Sequence, residues 1–131
     1  MDAFVQPLYE LADFDAIIRQ LKKPGIVQVS GCLDSQKAHF TNGLLREFPF
    51  RLIVAENDLK AKAFYEDFRL YDPEVLYYPA RDLIFYQADI HGNLLTRQRI
   101  QVLRALLERE EVTIVTSIDS CLDCLVPLDV W

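Results

Sequence analysis

Apolar residues recur at helical spacing along the first segment, at Leu8, Leu11, Phe14, Ile17, Ile18 and Leu21. The segment closes on Lys22-Lys23 and Pro24-Gly25, cations suited to a helix C-terminus followed by a stop. The period then changes. Ile26-Val27-Gln28-Val29-Ser30-Gly31 is a short β-branched run closed by glycine, which predicts a buried strand. Residues 36–48 read as a helix stopped by Pro49. The alternation repeats with Leu52-Ile53-Val54-Ala55 as a strand. Asn57 or Asp58 then serves as N-cap for a helix carrying Leu59, Ala63, Phe64, Phe68 and Tyr71, broken by Asp72-Pro73. Val75-Leu76-Tyr77-Tyr78 reads as a third strand before Pro79, and residues 80–93 are the least regular stretch. A helix follows over 94–110, with Ile100, Leu103, Leu106 and Leu107 on one broad face and Arg104 and Glu108 spaced i,i+4 on its wet side. Val112-Thr113-Ile114-Val115-Thr116 is a fourth strand, and the remainder offers a helical turn, Pro127 and Trp131.

Strand and helix alternating at these spacings predict βαβ units: a three-layer α/β fold around a mostly parallel sheet. No internal repeat, low-complexity tract or linker divides the chain, so residues 1–131 form one domain. The chain ends at Trp131 without a polar tail, which suggests a piece of a longer polypeptide.

Composition narrows the function classes. The chain has 51% hydrophobic and 26% charged residues, enough for a core without metals or disulfides. A net charge of -6 argues against nucleic-acid binding by bulk electrostatics, which needs clustered cations. Arg97, Arg99 and Arg104, and Lys60 and Lys62, are interleaved with acidic or apolar residues, as on a solvated helix face. No apolar run reaches the ~18–20 residues of a bilayer span. The start, Met1-Asp2-Ala3-Phe4, lacks the basic and apolar regions of a signal peptide. Three cysteines do not make a disulfide framework, and a reducing cytoplasm is the economical expectation.

The candidate chemistry lies after the first expected strand, because ligands on parallel sheets bind at the C-terminal ends of strands. Gly31-Cys32-Leu33-Asp34-Ser35-Gln36-Lys37-Ala38 occupies the place of a phosphate-binding loop, whose pattern is Gly, four residues, Gly-Lys, then Ser or Thr. Gly31 and Lys37 match. Gln36 stands where the second glycine belongs and brings a Cβ against the phosphate cradle. Ala38 has no hydroxyl for Mg²⁺, and Asp34 places negative charge where phosphate would sit. The loop reads as a degenerate nucleotide loop that retains no cofactor.

With that loop placed, further stretches resemble one family. Leu52-Ile53-Val54-Ala55-Glu56-Asn57-Asp58-Leu59-Lys60-Ala61 and Phe64-Tyr65-Glu66-Asp67-Phe68 resemble the strand and helix after the loop in the excision-repair protein UvrB. Arg81-Asp82, Arg97-Gln98-Arg99 and Thr113-Ile114-Val115-Thr116-Ser117-Ile118-Asp119-Ser120-Cys121-Leu122 are closer to the bacterial transcription-repair coupling factors, whose UvrB-homology region carries a degenerate loop. The resemblance runs from about Leu11 to Pro127. Residues 77–93 are too short for the DNA-inserting hairpin of UvrB, which also favours the coupling factors. The resemblance implies a P-loop-NTPase-like topology of the kind in the first UvrB domain. It implies a non-catalytic scaffold that packs against the remainder of its own chain. The UvrA-contacting module would follow, and the modules for RNA polymerase and DNA, with a working ATP site, would come later. It also implies that the sheet is completed after the inserted module, so this piece would leave a strand edge, or an apolar patch including Trp131, open for self-pairing.

Two other readings stand beside it: a small nucleotide-binding enzyme domain using Lys37, and a dithiol redox protein using Cys121 and Cys124. The Cys121-Leu122-Asp123-Cys124 pair lacks a second pair for zinc and the context of a redox motif, so structural thiols and no metal are expected. Cys32 lies apart from them. His39, placed in a helix, and His91, placed in a loop before Gly92, have no nucleophile at motif spacing and read as surface residues. Asp119 follows a strand without the acidic pair of a nucleotide-hydrolysing site. Tyr77, Tyr78, Phe85, Tyr86 and Trp131 could stack on bases, but in so acidic a chain they suit packing or a domain interface better.

Overall fold

The computed structural model describes residue 3, residues 5–80 and residues 89–122, the last of these with backbone alone over 89–93. It is a mixed α/β fold around an all-parallel sheet of three strands, β1 (Phe50–Ala55), β2 (Leu76–Tyr78) and β3 (Val112–Ser117), in the order β1-β3-β2. Phe50 pairs with Val112 and so on to Ala55 with Ser117; Leu76 pairs with Ile114 and Tyr78 with Thr116. The last strand in sequence is thus the central one. It is buried at every position, as a strand with a neighbour on each edge and helices on both faces must be.

Alternation along the strands separates two cores. Val115 packs with Ala61 and Phe68 of α3 (Asp58–Phe68), with Ala38 of α2 (Asp34–Leu45) and against Ile53, Ala55 and Tyr77. Val112 and Ile114 pack with Leu76 and Tyr78 and with Val102 and Ala105 of α4 (Asp89–Glu108) on the other face. A third cluster joins Val5, Leu8, Phe14 and Ile18, from a 3₁₀ turn (Gln6–Glu10) and α1 (Phe14–Leu21), to Phe40 and Leu44 of α2. A short α5 (Ile118–Cys121) follows β3 directly, capped by the Ser117 side chain.

Several expectations are corrected. The run 26–31 is not a strand: it forms no regular secondary structure, and Ile26 is 99% exposed. Gly25 just before it and Gly31 at its end both take positive φ. The first helical segment is divided into a 3₁₀ turn and a shorter α1, and α2 begins at Asp34 and ends at Leu45. The long helix begins at Asp89, so His91 lies in α4 and not in a loop. Its buried stripe is Arg99, Val102 and Ala105; of the residues read as the apolar face, Leu103 is half-buried against that core, whereas Ile100, Leu106 and Leu107 are exposed. The pairing of Arg104 with Glu108 is present at 2.8 Å. Arg99 is not on a solvated face. Its Nη1 donates to the Pro79 carbonyl at 2.7 Å and its guanidinium lies 4.2 Å from the Tyr78 ring centre.

Candidate functional site

Parallel strands gather their C-terminal ends at one edge of the sheet, and the polar residues of this chain converge there. Asn57 caps α3, its Oδ1 accepting from the Lys60 amide at 2.9 Å. This frees Asp58, the first residue of α3, to tie the strand ends together. Its Oδ1 accepts from the Ala80 amide at 3.2 Å and from Ser117 Oγ at 3.4 Å. Ser117 Oγ lies 2.9 Å from Ser120 Oγ, and the Tyr77 hydroxyl donates to the Asp58 carbonyl at 3.4 Å. Burial, and then the neighbouring Asp58, push the Tyr77 hydroxyl well above the ordinary phenol range. Ser117 is 0% exposed and Ser120 1%, so no substrate reaches either hydroxyl, and the network reads as a structural join between β2, β3, α3 and α5.

The loop after residue 30 is shorter than a phosphate cradle. Gly31 takes φ 89, Leu33 is the N-cap of α2, and Asp34, Ser35, Gln36 and Lys37 already form its first turn. The amides of Gln36 and Lys37 donate to the Leu33 carbonyl at 2.9 and 3.2 Å. Lys37 Nζ donates to Asp34 Oδ1 at 2.6 Å. Ala38 is buried in the core shared with α3, so its side chain faces Ala61 and Phe68 instead of a ligand.

Beside this turn a cleft of about 510 Å³ opens between the start of α2 and one flank of α3, at the C-terminal end of β1. Ile53, Val54 and Phe64 line it together with Asp34, Lys37, Glu56, Lys60 and Asp67. Lys60 is paired with Glu56 one turn before it. The hydrogen bond and charge of Lys37 hold the Asp34 carboxyl below the usual carboxylate range, and Lys60 adds to that effect across the cleft. Lys60 holds Glu56 low in the same way, and Glu56 and then Asp34 raise the Lys60 ammonium. The four charges therefore form one mutually compensated group.

The remaining expected residues are dispersed. Tyr78 is buried and Tyr77 half-buried, both packed within the fold; Phe85, Tyr86 and Trp131 lie outside the described residues. Cys121 is an exposed free thiol in α5 and Cys32 a half-buried one, while Cys124 lies outside the described residues. Asp119 is exposed in the first turn of α5. His39 stacks on Tyr71, with ring centres 5.3 Å apart, where a plain surface histidine was expected. Among the described residues no group of side chains is arranged to hold a metal ion, and no helix is long and apolar enough to cross a membrane. Sequence reading singled out neither Glu56 nor the Asp58–Ser117–Ser120 network as site residues; their positions just after β1 and β3 were the available signal.

Comparison of the chain with protein-family models, with characterised proteins and with solved structures finds no match.

Proposed function

We propose that this chain is a non-catalytic scaffold and interaction domain of the coupling-factor kind, related in topology to P-loop NTPases and to the first domain of UvrB. In this reading it packs against the remainder of its own polypeptide in the cytoplasm. It supports recruitment of UvrA, through a following module, to RNA polymerase stalled at DNA damage, and later modules move on DNA with their own ATP site. The observation that carries the non-catalytic part is the first turn of α2. Lys37, the residue that such a loop offers to phosphate, bonds Asp34 in the same turn, and Ala38 points into the core. The resemblance of residues 52–68 and 113–122 carries the rest.

The test is a titration of UvrA, at one salt concentration, against residues 1–131 and against a longer chain that includes the next module. Binding by the longer chain alone is expected. Equal binding by both would place the contact within these residues and refute the assigned roles.

A further inference from the structure

β2 is an outer strand of the sheet and, among the described residues, pairs with β3 alone. Its side chains are committed on both faces: Leu76 and Tyr78 pack with the α4 core, and Tyr77 with the α3 core. The backbone groups of its second edge are what it can still offer. α3 and α4 flank that edge from opposite faces and enclose a groove of about 390 Å³. Residues 73–77 form its floor, Tyr65 and Arg69 one wall, and Gln98, Gln101 and Arg109 the other. Helices that join parallel strands run back towards the strand starts, so Arg69 and Arg109, each just past a helix end, come to the start of β2. There two guanidiniums face one lining carboxylate, Glu74, in a chain whose net charge is -6. Glu74 lies 3.9 Å from Arg109, and Glu66, outside the groove, 3.3 Å from Arg69. All four side chains are solvent-exposed, so these pairs are weak and yield to a better-placed carboxylate.

We infer that this groove takes an extended acidic peptide, added to β2 as a further strand with its carboxylates against Arg69 and Arg109. An open strand edge bonds to another backbone. The carboxamides of Gln98 and Gln101 both donate and accept, as the outer edge of an added peptide requires. The guanidinium fork matches a carboxylate, which sets the charge of the occupant. A sheet edge of a second copy arrives with its own helices attached, which the walls of α3 and α4 exclude, whereas a single extended segment passes between them. The groove and its occupant stand apart from the coupling-factor reading.

The probe is a capped peptide of two glutamates followed by alternating valine and threonine, titrated into the whole chain while its amides are followed by NMR. Shifts are expected at Leu76, Tyr77, Gln98 and Gln101, and not along β1. The same peptide led by two lysines should bind about tenfold more weakly, and so should the glutamate peptide to a chain with Arg69→Gln and Arg109→Gln, at roughly threefold for each exposed charge. N-methylation of alternate peptide residues is made in both registers, and it should abolish the β2 shifts in the register whose N–H groups meet β2. A purely electrostatic contact would tolerate both. The lysine-led and N-methylated peptides act on the unaltered chain, so they decide the matter even if the arginine variant does not fold. Any of these results would overturn the inference: no shift with the glutamate peptide at millimolar concentration, equal binding of the two charged peptides, unchanged affinity in a natively folded arginine variant, tolerance of N-methylation in both registers, or shifts along β1 instead. Shifts at Leu76 and Tyr77 that follow protein concentration without peptide would overturn it too, because they place a second copy in the groove.

Discussion

Tyr77 keeps its phenolic proton because its hydroxyl is partly buried and lies beside the Asp58 carboxylate, whose hydrogen bonding and charge oppose ionisation. The unfolded chain releases that proton near the ordinary phenol value of 10.0, whereas the folded chain retains it to higher pH. Above that value the folded state binds more protons, so stability falls as pH rises through it. Tyr77→Phe should flatten this alkaline loss while costing little at neutral pH. Denaturant melts at about pH 8 and about pH 11 check it, and parallel losses in the two proteins would refute the assignment. At this scale the sequence was readable only where partners are local. Asn57 as a cap could be read because its partner is three residues away. The second partner of Asp58, Ser117, lies fifty-nine residues along the chain and requires the sheet order to be known. Arg99 was misread because charge outweighed spacing: Arg99, Val102 and Ala105 recur at three-residue intervals and form the inner stripe of α4.

Among the helices, α2 has a glycine in its body, Gly43, at the contact with the N-terminal cluster. Glycine in an open helix interior is about 1 kcal/mol worse than alanine, so Gly43→Ala would ordinarily stabilise. Here an added Cβ would collide with Leu8 Cδ1 and lie 3.0 Å from Phe14 Cζ. The Phe14 ring is itself wedged edge-on against Tyr9 and Phe40, at 5.1 and 5.5 Å. Overpacking of this kind costs about 1–3 kcal/mol, enough to reverse the sign. Gly43→Ala should therefore lower stability by about 1 kcal/mol, and in a Leu8→Ala background the same change should become neutral or favourable. Additive effects in that double-mutant cycle would exclude the contact. Element types were mostly legible, because β1, α3 and β3 have periods that packing then satisfies. The run 26–31 shows the limit. Its β-branched composition is as strand-like as that of β1, but composition does not supply a partner, and among the described residues β1 and β2 each pair with β3 alone.

For the molecule as a whole, the two faces of the sheet are covered unequally at β1. Ile53 and Ala55 lie against the α3 core, whereas Phe50, Leu52 and Val54 on the opposite face are 57%, 62% and 45% exposed. Among the described residues β1 pairs with β3 alone, so its second edge carries free backbone groups beside an apolar row. An open edge of this character promotes edge-to-edge association. The alternation yields a paired prediction. Leu52→Lys, on the uncovered face, should change stability by less than ~0.5 kcal/mol, as surface substitutions do, and should lower concentration-dependent self-association in sedimentation velocity. Ile53→Lys, one residue along, directs its charge into the α3 core and should cost several kcal/mol. Chemical denaturation separates the two. Equal destabilisation would mean that both faces of β1 are covered. Unchanged association in a natively folded Leu52→Lys variant would mean that the apolar row on β1 is not the contact that copies of this chain use.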